Sequence, residues 1–317
     1  MRQARSILIL AGPTASGKSA FALDTARALN GTIINADSMQ VYRELRLLSA
    51  RPSPADEALI PHKLYGVMSA ADPCSVGRWL DLAVREIDAA FAEGRLPVLV
   101  GGTGLYLKAL LKGLSFIPDI PAEIRAEVRM LYDRLGGEAF RGALAKIDPR
   151  GAERILPGDR QRLIRAFEVA RATGRTLAAW QAETAGSPLN GIDRRAVVLV
   201  APPRAALYAA IEARFEGMLE AGALAEVRAL AALGLSADLP ALKAVGIPEL
   251  MAHVEGKIPL DQAVMKAKQA SRNYAKRQLT WFRNQFEQNH TINEQYSESL
   301  FEKNFPFIRD LLLTPLP

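Results

Sequence analysis

The sequence predicts an α/β fold: a parallel sheet of the phosphate-loop type flanked by helices, with a helical insertion domain. Three observations predict it. Short, continuously apolar runs alternate with amphipathic segments, as when strands are buried on both faces by crossover helices. The first run leads into Gly12-Pro13-Thr14-Ala15-Ser16-Gly17-Lys18-Ser19, which matches G-x-x-x-x-G-K-[ST] between a strand and a helix. The stretch 116–190 carries little strand signal and is broken by Gly136-Gly137, Asp148-Pro149, Pro157-Gly158 and Gly174.

The elements follow in order. Residues 6–11 (SILILA) read as a buried strand ending at a Gly-Pro turn, and 19–29 as a helix. Residues 32–35 form a second strand, followed by Ala36-Asp37-Ser38. Over 76–93, Trp79, Leu82, Ala83, Ile87, Ala90 and Phe91 share one helical face. Residues 96–100 (LPVLV) make a third strand, ending at Gly101-Gly102-Thr103-Gly104. Residues 194–200 restore one strand to the sheet, and 203–290 read as helical. Beyond Asn289 no period is legible. The expected division is a core of 1–115 with 191–290, an insertion over 116–190 and a tail over 291–317.

Composition narrows the function classes. The 317 residues include one cysteine and three histidines, which excludes an intrachain disulfide, a Cys-based zinc site and an iron–sulfur cluster. No apolar run approaches the roughly 20 residues that span a bilayer. The apolar run near the N-terminus is too short for a signal-peptide core, so a cytoplasmic protein with no membrane partner is expected. The net charge of +6 is concentrated. Residues 141–177 hold nine Lys/Arg against four Asp/Glu, and 266–283 hold six Lys/Arg and no acid. Such windows suit an anionic partner such as nucleic acid, or are simply solvated helix faces.

The phosphate loop carries the most specific chemistry. Its glycines let backbone N–H groups converge on an anion, and the following helix adds a partial positive charge. Lys18 supplies a full charge to a terminal phosphate, and the Ser19 hydroxyl can ligate Mg²⁺. In an open parallel sheet ligands bind beyond the carboxyl ends of the strands, which puts Asp37 and Thr103 on the rim that holds the loop. Asp37 there is a general base, a holder of Mg²⁺ through water, or a helix cap. No acid follows the third strand, which argues against an ATPase and is compatible with a kinase or with a transferase that retains a leaving diphosphate.

Five segments carry a resemblance: GPTASGKS (12–19), NADSMQVYR (35–43), VGGTGLYLKALL (100–111), DPRGAERILPGDRQRLIRAFEV (148–169) and AKRQLTWFR (275–283). In these the chain resembles the tRNA isopentenyltransferase family, bacterial tRNA dimethylallyltransferases in particular. The resemblance implies transfer of a dimethylallyl group from dimethylallyl diphosphate to N6 of the adenosine 3′ to the tRNA anticodon. It implies Asp37 as the base, Thr103 as a contact of the target adenine, and diphosphate binding by residues 12–19 and Arg214. It places Ser38, Met39, Gln40, Arg125 and the run Gln161-Arg162-Leu163-Ile164-Arg165 at the tRNA, with Asp37 and Thr103. Mg²⁺ near Ser19 is the implied cofactor, and a monomer is expected.

In 161–167, Leu163, Ile164 and Phe167 have inward helical spacing, while Arg162 and Arg165 can face outward together. In the last basic helix Ala275, Leu279, Phe282 and Phe286 form an apolar stripe, and Arg272, Lys276 and Arg283 fall on one side. That strip suits a phosphate backbone. Trp281 is expected in the core. Two departures stand out: Val245-Gly246-Ile247-Pro248-Glu249 replaces a Gly-Tyr-Lys-like segment, and Pro61-His62-Lys63 a Pro-His-His. A small-metabolite kinase would explain the loop and Asp37 but neither basic window. An RNA-binding module without catalysis would explain the charge but not the loop. Free adenosine nucleotides are an alternative acceptor.

Overall fold

A computed structural model describes residues 4–183 and 186–313. The chain divides into two compact units, Met1–Leu111 with Leu189–Pro317, and Lys112–Pro188.

The first unit is built on six strands: β1 (Ser6–Ala11), β2 (Gly31–Asn35), β3 (His62–Lys63), β4 (Leu96–Gly101), β5 (Arg194–Val200) and β6 (His290–Ile292). Their order in the sheet is β3-β2-β4-β1-β5-β6, and every pairing is parallel. Central β1 pairs Leu10 with Val100 on one side and with Val198 on the other. Because all strands point one way, the segments after β1, β2 and β4 meet at one rim.

Helices α1 (Lys18–Ala28), α2 (Pro54–Leu59), α3 (Val76–Ala92) and α4 (Gly104–Lys112) connect the first strands. One core cluster joins Leu8, Leu10, Val98 and Val198 to Phe21 and Ala22 of α1. Against α3, Trp79 donates its indole N–H to the Asn35 carbonyl at 2.9 Å and stacks on Tyr106.

The second unit holds α5 (Ala122–Ala145), α6 (Pro149–Arg154), α7 (Arg160–Thr173) and α8 (Leu177–Gln181). Its core is Val128, Phe140, Leu144, Leu163 and Ala166. Asp148 and Asp159 cap α6 and α7 by accepting the Gly151 and Arg162 backbone N–H groups. The breaks read from the sequence differ in kind. Gly136, at φ +71°, kinks α5 without ending it, whereas Gly174 stops α7 in the left-handed conformation. The unit runs 112–188 where the sequence suggested 116–190.

The first unit continues after β5 with α9 (Arg204–Glu220), α10 (Ala223–Ala232), α11 (Ile247–Val254) and α12 (Leu260–Gln285). After β6 comes α13 (Glu298–Leu313). Over the described part, residues 291–317 are not the separate tail expected from the sequence. β6 extends the sheet beside β5, and α13 buries Leu300, Ile308 and Leu312 in the main core. The helical period was hidden by a buried asparagine, Asn304, and by Pro306 inside the helix. Among the described residues no helix is long and apolar enough to cross a membrane.

Candidate active site

The phosphate loop runs from β1 into α1. Gly17 has φ +85°, and a Cβ there would lie 2.3 Å from the Tyr296 Cβ. Ala15 is also left-handed at φ 63°. A non-glycine residue in that conformation is strained unless its surroundings hold it. Here Gln295 donates its amide N–H to the Ala15 carbonyl at 3.0 Å. Tyr296 donates its hydroxyl to Asp24 of α1. Residues 295–296 therefore brace the loop, a role that no motif or period in the sequence marks.

The loop's N–H groups are not all open to an anion. The Thr14 N–H is taken by Gln278 Oε1 at 2.8 Å. The other end of that buried amide donates to the Gly102 carbonyl at 2.9 Å, so α12 ties the loop to the β4–α4 turn. Ser16 is fully buried and its hydroxyl has no partner. Lys18 folds back and donates to the Pro13 carbonyl at 3.1 Å. Burial lowers its ammonium to about 8, against the attraction of Asp37 and with the repulsion of Arg214. Ser19 is exposed at the start of α1. Its hydroxyl is the kind of oxygen Mg²⁺ accepts, and among the described residues no cluster of three or more His, Cys, Asp or Glu could cage a metal.

Asp37 follows β2 and is half-buried. Its Oδ1 accepts the Met39 N–H at 2.9 Å, and its own N–H is held by Asn35 Oδ1 at 2.8 Å. The turn is an Asx turn, and no helix follows for Asp37 to cap. It fixes the carboxylate on the wall of a cavity of about 230 Å³. The same wall carries Thr14, Ser38, Met39, Arg214, Tyr274 and Arg277. Arg214 of α9 donates to the Thr14 hydroxyl, so it is not a surface arginine. Burial lowers its guanidinium to about 10, partly offset by Asp37. Burial and the Asp37 charge together raise the Tyr274 hydroxyl.

Other expected residues sit differently. The Thr103 hydroxyl accepts the Ser38 N–H at 2.9 Å and donates to the Ser38 hydroxyl at 3.2 Å. It stands behind Ser38 rather than on the cavity wall. Gln40 spends its amide N–H groups on the Ser49 and Ala50 carbonyls, at 2.8 and 2.9 Å, and so pins a loop. On α12, Arg272 pairs with Glu212 at 2.5 Å, whereas Lys276 and Arg283 are exposed. The basic strip is thus partly neutralised by α9, and it is Arg277 that reaches the cavity. Trp281 is half-buried with its ring against Gly104, where a Cβ would come within 2.2 Å of it.

Within the helical unit Gln161, Arg162 and Arg125 are exposed. Leu163 is fully buried in the unit's core and Ile164, partly buried, packs against that core, so both side chains hold α7 in place. Arg165 lies 3.9 Å from buried Glu168, whose carboxyl is pushed up by burial and pulled down by Arg165, Arg125 and Arg129. Arg129 was not singled out by sequence, because only the folded helices bring it to Glu168.

Fold and site together define an α/β protein with a phosphate-binding loop and a carboxylate-bearing cavity at the strand ends. Family models described as IPP transferase and isopentenyl transferase match residues 40–285 and 5–61. The chain belongs to the IPP transferase family. It is 56% identical over 285 residues, 90% of each chain, to a tRNA dimethylallyltransferase of Rhodospirillum centenum. To the protein of that name from Paramagnetospirillum magneticum it is 53% identical over 309 residues, 97% of each. Its fold is similar to the full-length tRNA isopentenylpyrophosphate transferase of Bacillus halodurans, with a TM-score of 0.69 and 31% identity over 97% of each chain.

Proposed function

We propose that the chain transfers a dimethylallyl group from dimethylallyl diphosphate to N6 of the adenosine 3′ to a tRNA anticodon. One observation carries this reading: the Asp37 carboxylate shares a cavity with Thr14 and Arg214, at the phosphate end of the loop. A base and a leaving-group site lining one small cavity suit attack by a nucleophile that must lose a proton as a diphosphate departs.

In the reaction, the adenosine N6 lone pair forms a bond to the allylic carbon. The carbon–oxygen bond to the diphosphate breaks, and its electron pair leaves with the diphosphate. The N6 proton passes to Asp37. Lys18, Arg214 and the remaining loop N–H groups stabilise the charge that grows on the departing oxygens. Mg²⁺, when bound at Ser19 and the phosphates, would supply further charge neutralisation there. Ser38 and Met39 border the acceptor side, and Thr103 fixes Ser38 through its two hydrogen bonds.

The target base must leave the anticodon-loop stack to reach this cavity, at a cost of a few kcal/mol. The exposed arginines Arg125 and Arg162, with half-buried Arg165, provide cations for the stem–loop backbone on the helical unit. Lys276, Arg277 and Arg283 provide others on α12. One chain carries both the loop and the acceptor cavity, so a monomer suffices, acting in the cytoplasm where tRNA is. The test supplies labelled dimethylallyl diphosphate, Mg²⁺ and unmodified tRNA, with ATP and AMP as control substrates. Label on the adenosine beside the anticodon is expected. Label on AMP instead, or phosphate moved from ATP, would overturn the reading.

A further inference from the structure

A second cavity, of about 250 Å³, opens beside Ser19 at the start of α1. Its wall carries Ser19, Arg51, Asp56, His62 and Tyr65 over an apolar floor that includes Ile33 and Val100. Apart from Ser19, none of these residues has a part in the proposed transfer.

Arg51 is its unusual member. The side chain is only 10% exposed, and its Nε–H is buried without a hydrogen-bond partner. The nearest carboxylate oxygen, on Glu57, lies 3.8 Å away, beyond hydrogen-bond range, and Arg46 competes for Glu57 at the same distance. Burial and the Arg46 charge lower the Arg51 guanidinium, and Glu57, Glu226 and Tyr65 offset this only in part. The guanidinium rests on Gly66, where an added Cβ would sit 2.1 Å from Nη1. That packing fixes its position. Asp56, the acid on the wall, already commits Oδ2 to the N–H and hydroxyl of Ser53 at the N-terminus of α2. His62 directs Nδ1 to the Ile60 carbonyl at 2.7 Å. A buried, under-satisfied arginine is costly unless an anion completes it.

We propose that Arg51 is a further anion-binding residue, and that this cavity is where the outer oxygens of a diphosphate held on the loop are met from the Ser19 side. The inference rests on the reading of the loop as a diphosphate site. Lys18 and Arg214 then hold the anion from the acceptor side and Arg51 from the opposite side. Arginine suits the task because its planar fork can donate two parallel hydrogen bonds to a phosphate.

Calorimetric titration with inorganic diphosphate and Mg²⁺ tests this on the full chain, with Arg51→Gln, Arg51→Lys and Lys18→Ala alongside. Arg51→Gln is expected to weaken diphosphate binding about tenfold, the equivalent of ~1.4 kcal/mol. Arg51→Lys should recover part of the loss, and tRNA affinity should stay at the parent level in both. If Arg51→Gln binds diphosphate as the parent does while Lys18→Ala does not, the loop reading stands and the Arg51 proposal is overturned. If Arg51→Gln loses diphosphate and tRNA binding together, the residue is structural and the proposal is again overturned. If the parent itself fails to bind diphosphate, the loop reading falls and takes this one with it.

Discussion

Asp37 combines a structural and a chemical task in two oxygens. Oδ1 holds the Asx turn, and the carboxylate as a whole faces the cavity. Asp37→Asn keeps an acceptor for the Met39 N–H but removes the base. Its transfer rate should fall by about 10²–10⁴ with tRNA affinity almost unchanged, as single-turnover and filter-binding assays would register. Lys18 gives a pH signature. In the free protein its ammonium titrates near 8, so it is charged below that pH and neutral above it. The kcat/KM for dimethylallyl diphosphate should therefore fall as pH rises through about 8, and Lys18→Met should lack that limb. Arg162 is exposed, with a single carboxylate 3.4 Å away on Asp159. Arg162→Ala should flatten the salt dependence of tRNA binding by about 0.7–0.9 in log–log slope if the residue meets one phosphate. An unchanged slope would remove this position from the RNA surface.

At the scale of elements, α12 does more than present charge. Its Gln278 sits between two loops that the sequence places far apart. Gln278→Ala would leave the Gly102 carbonyl and the Thr14 N–H without this partner, a cost of about 1–3 kcal/mol for each buried group left unsatisfied. A drop of several degrees in Tm and a raised KM for the diphosphate are expected together, since the loop loses its tether. On α7, Leu163→Ala should cost about 2–5 kcal/mol through the cavity it leaves, visible as selective loss of hydrogen-exchange protection within residues 112–188.

These two helices also show what sequence could and could not reveal. The phosphate loop, Asp37 and the inward spacing of Leu163 were legible because each lies in a contiguous motif with a period or a fixed spacing. Gln278 is not legible as a tether although it lies within the run 275–283, because its partners are brought to it only by the fold. A helical wheel selected Arg272 on α12, but the wheel cannot see Glu212 on a neighbouring helix taking that charge, nor Arg277 turning into the cavity. Strands β3 and β6, of two and three residues, are too short to show alternation.

For the whole molecule, the consequence lies in the order of synthesis. The sheet's first strand is central, and its neighbours β4 and β5 come much later in the chain. The brace on the phosphate loop comes later still, from Gln295 and Tyr296, carried between β6 and α13. At ~5–20 residues per second, roughly 15–60 s separate the making of β1 from the making of that brace. Throughout that interval the nascent chain holds a motif for phosphate without its support, and early in it an apolar strand without either neighbour. A polypeptide interrupted before residue 290 would contain every segment of the phosphate and acceptor sites and still lack the piece that seals them. Of the contacts that hold the phosphate loop, those from residues 295–296 are thus the last to be made, and a chain lacking them should bind diphosphate more weakly than the parent in calorimetric titration.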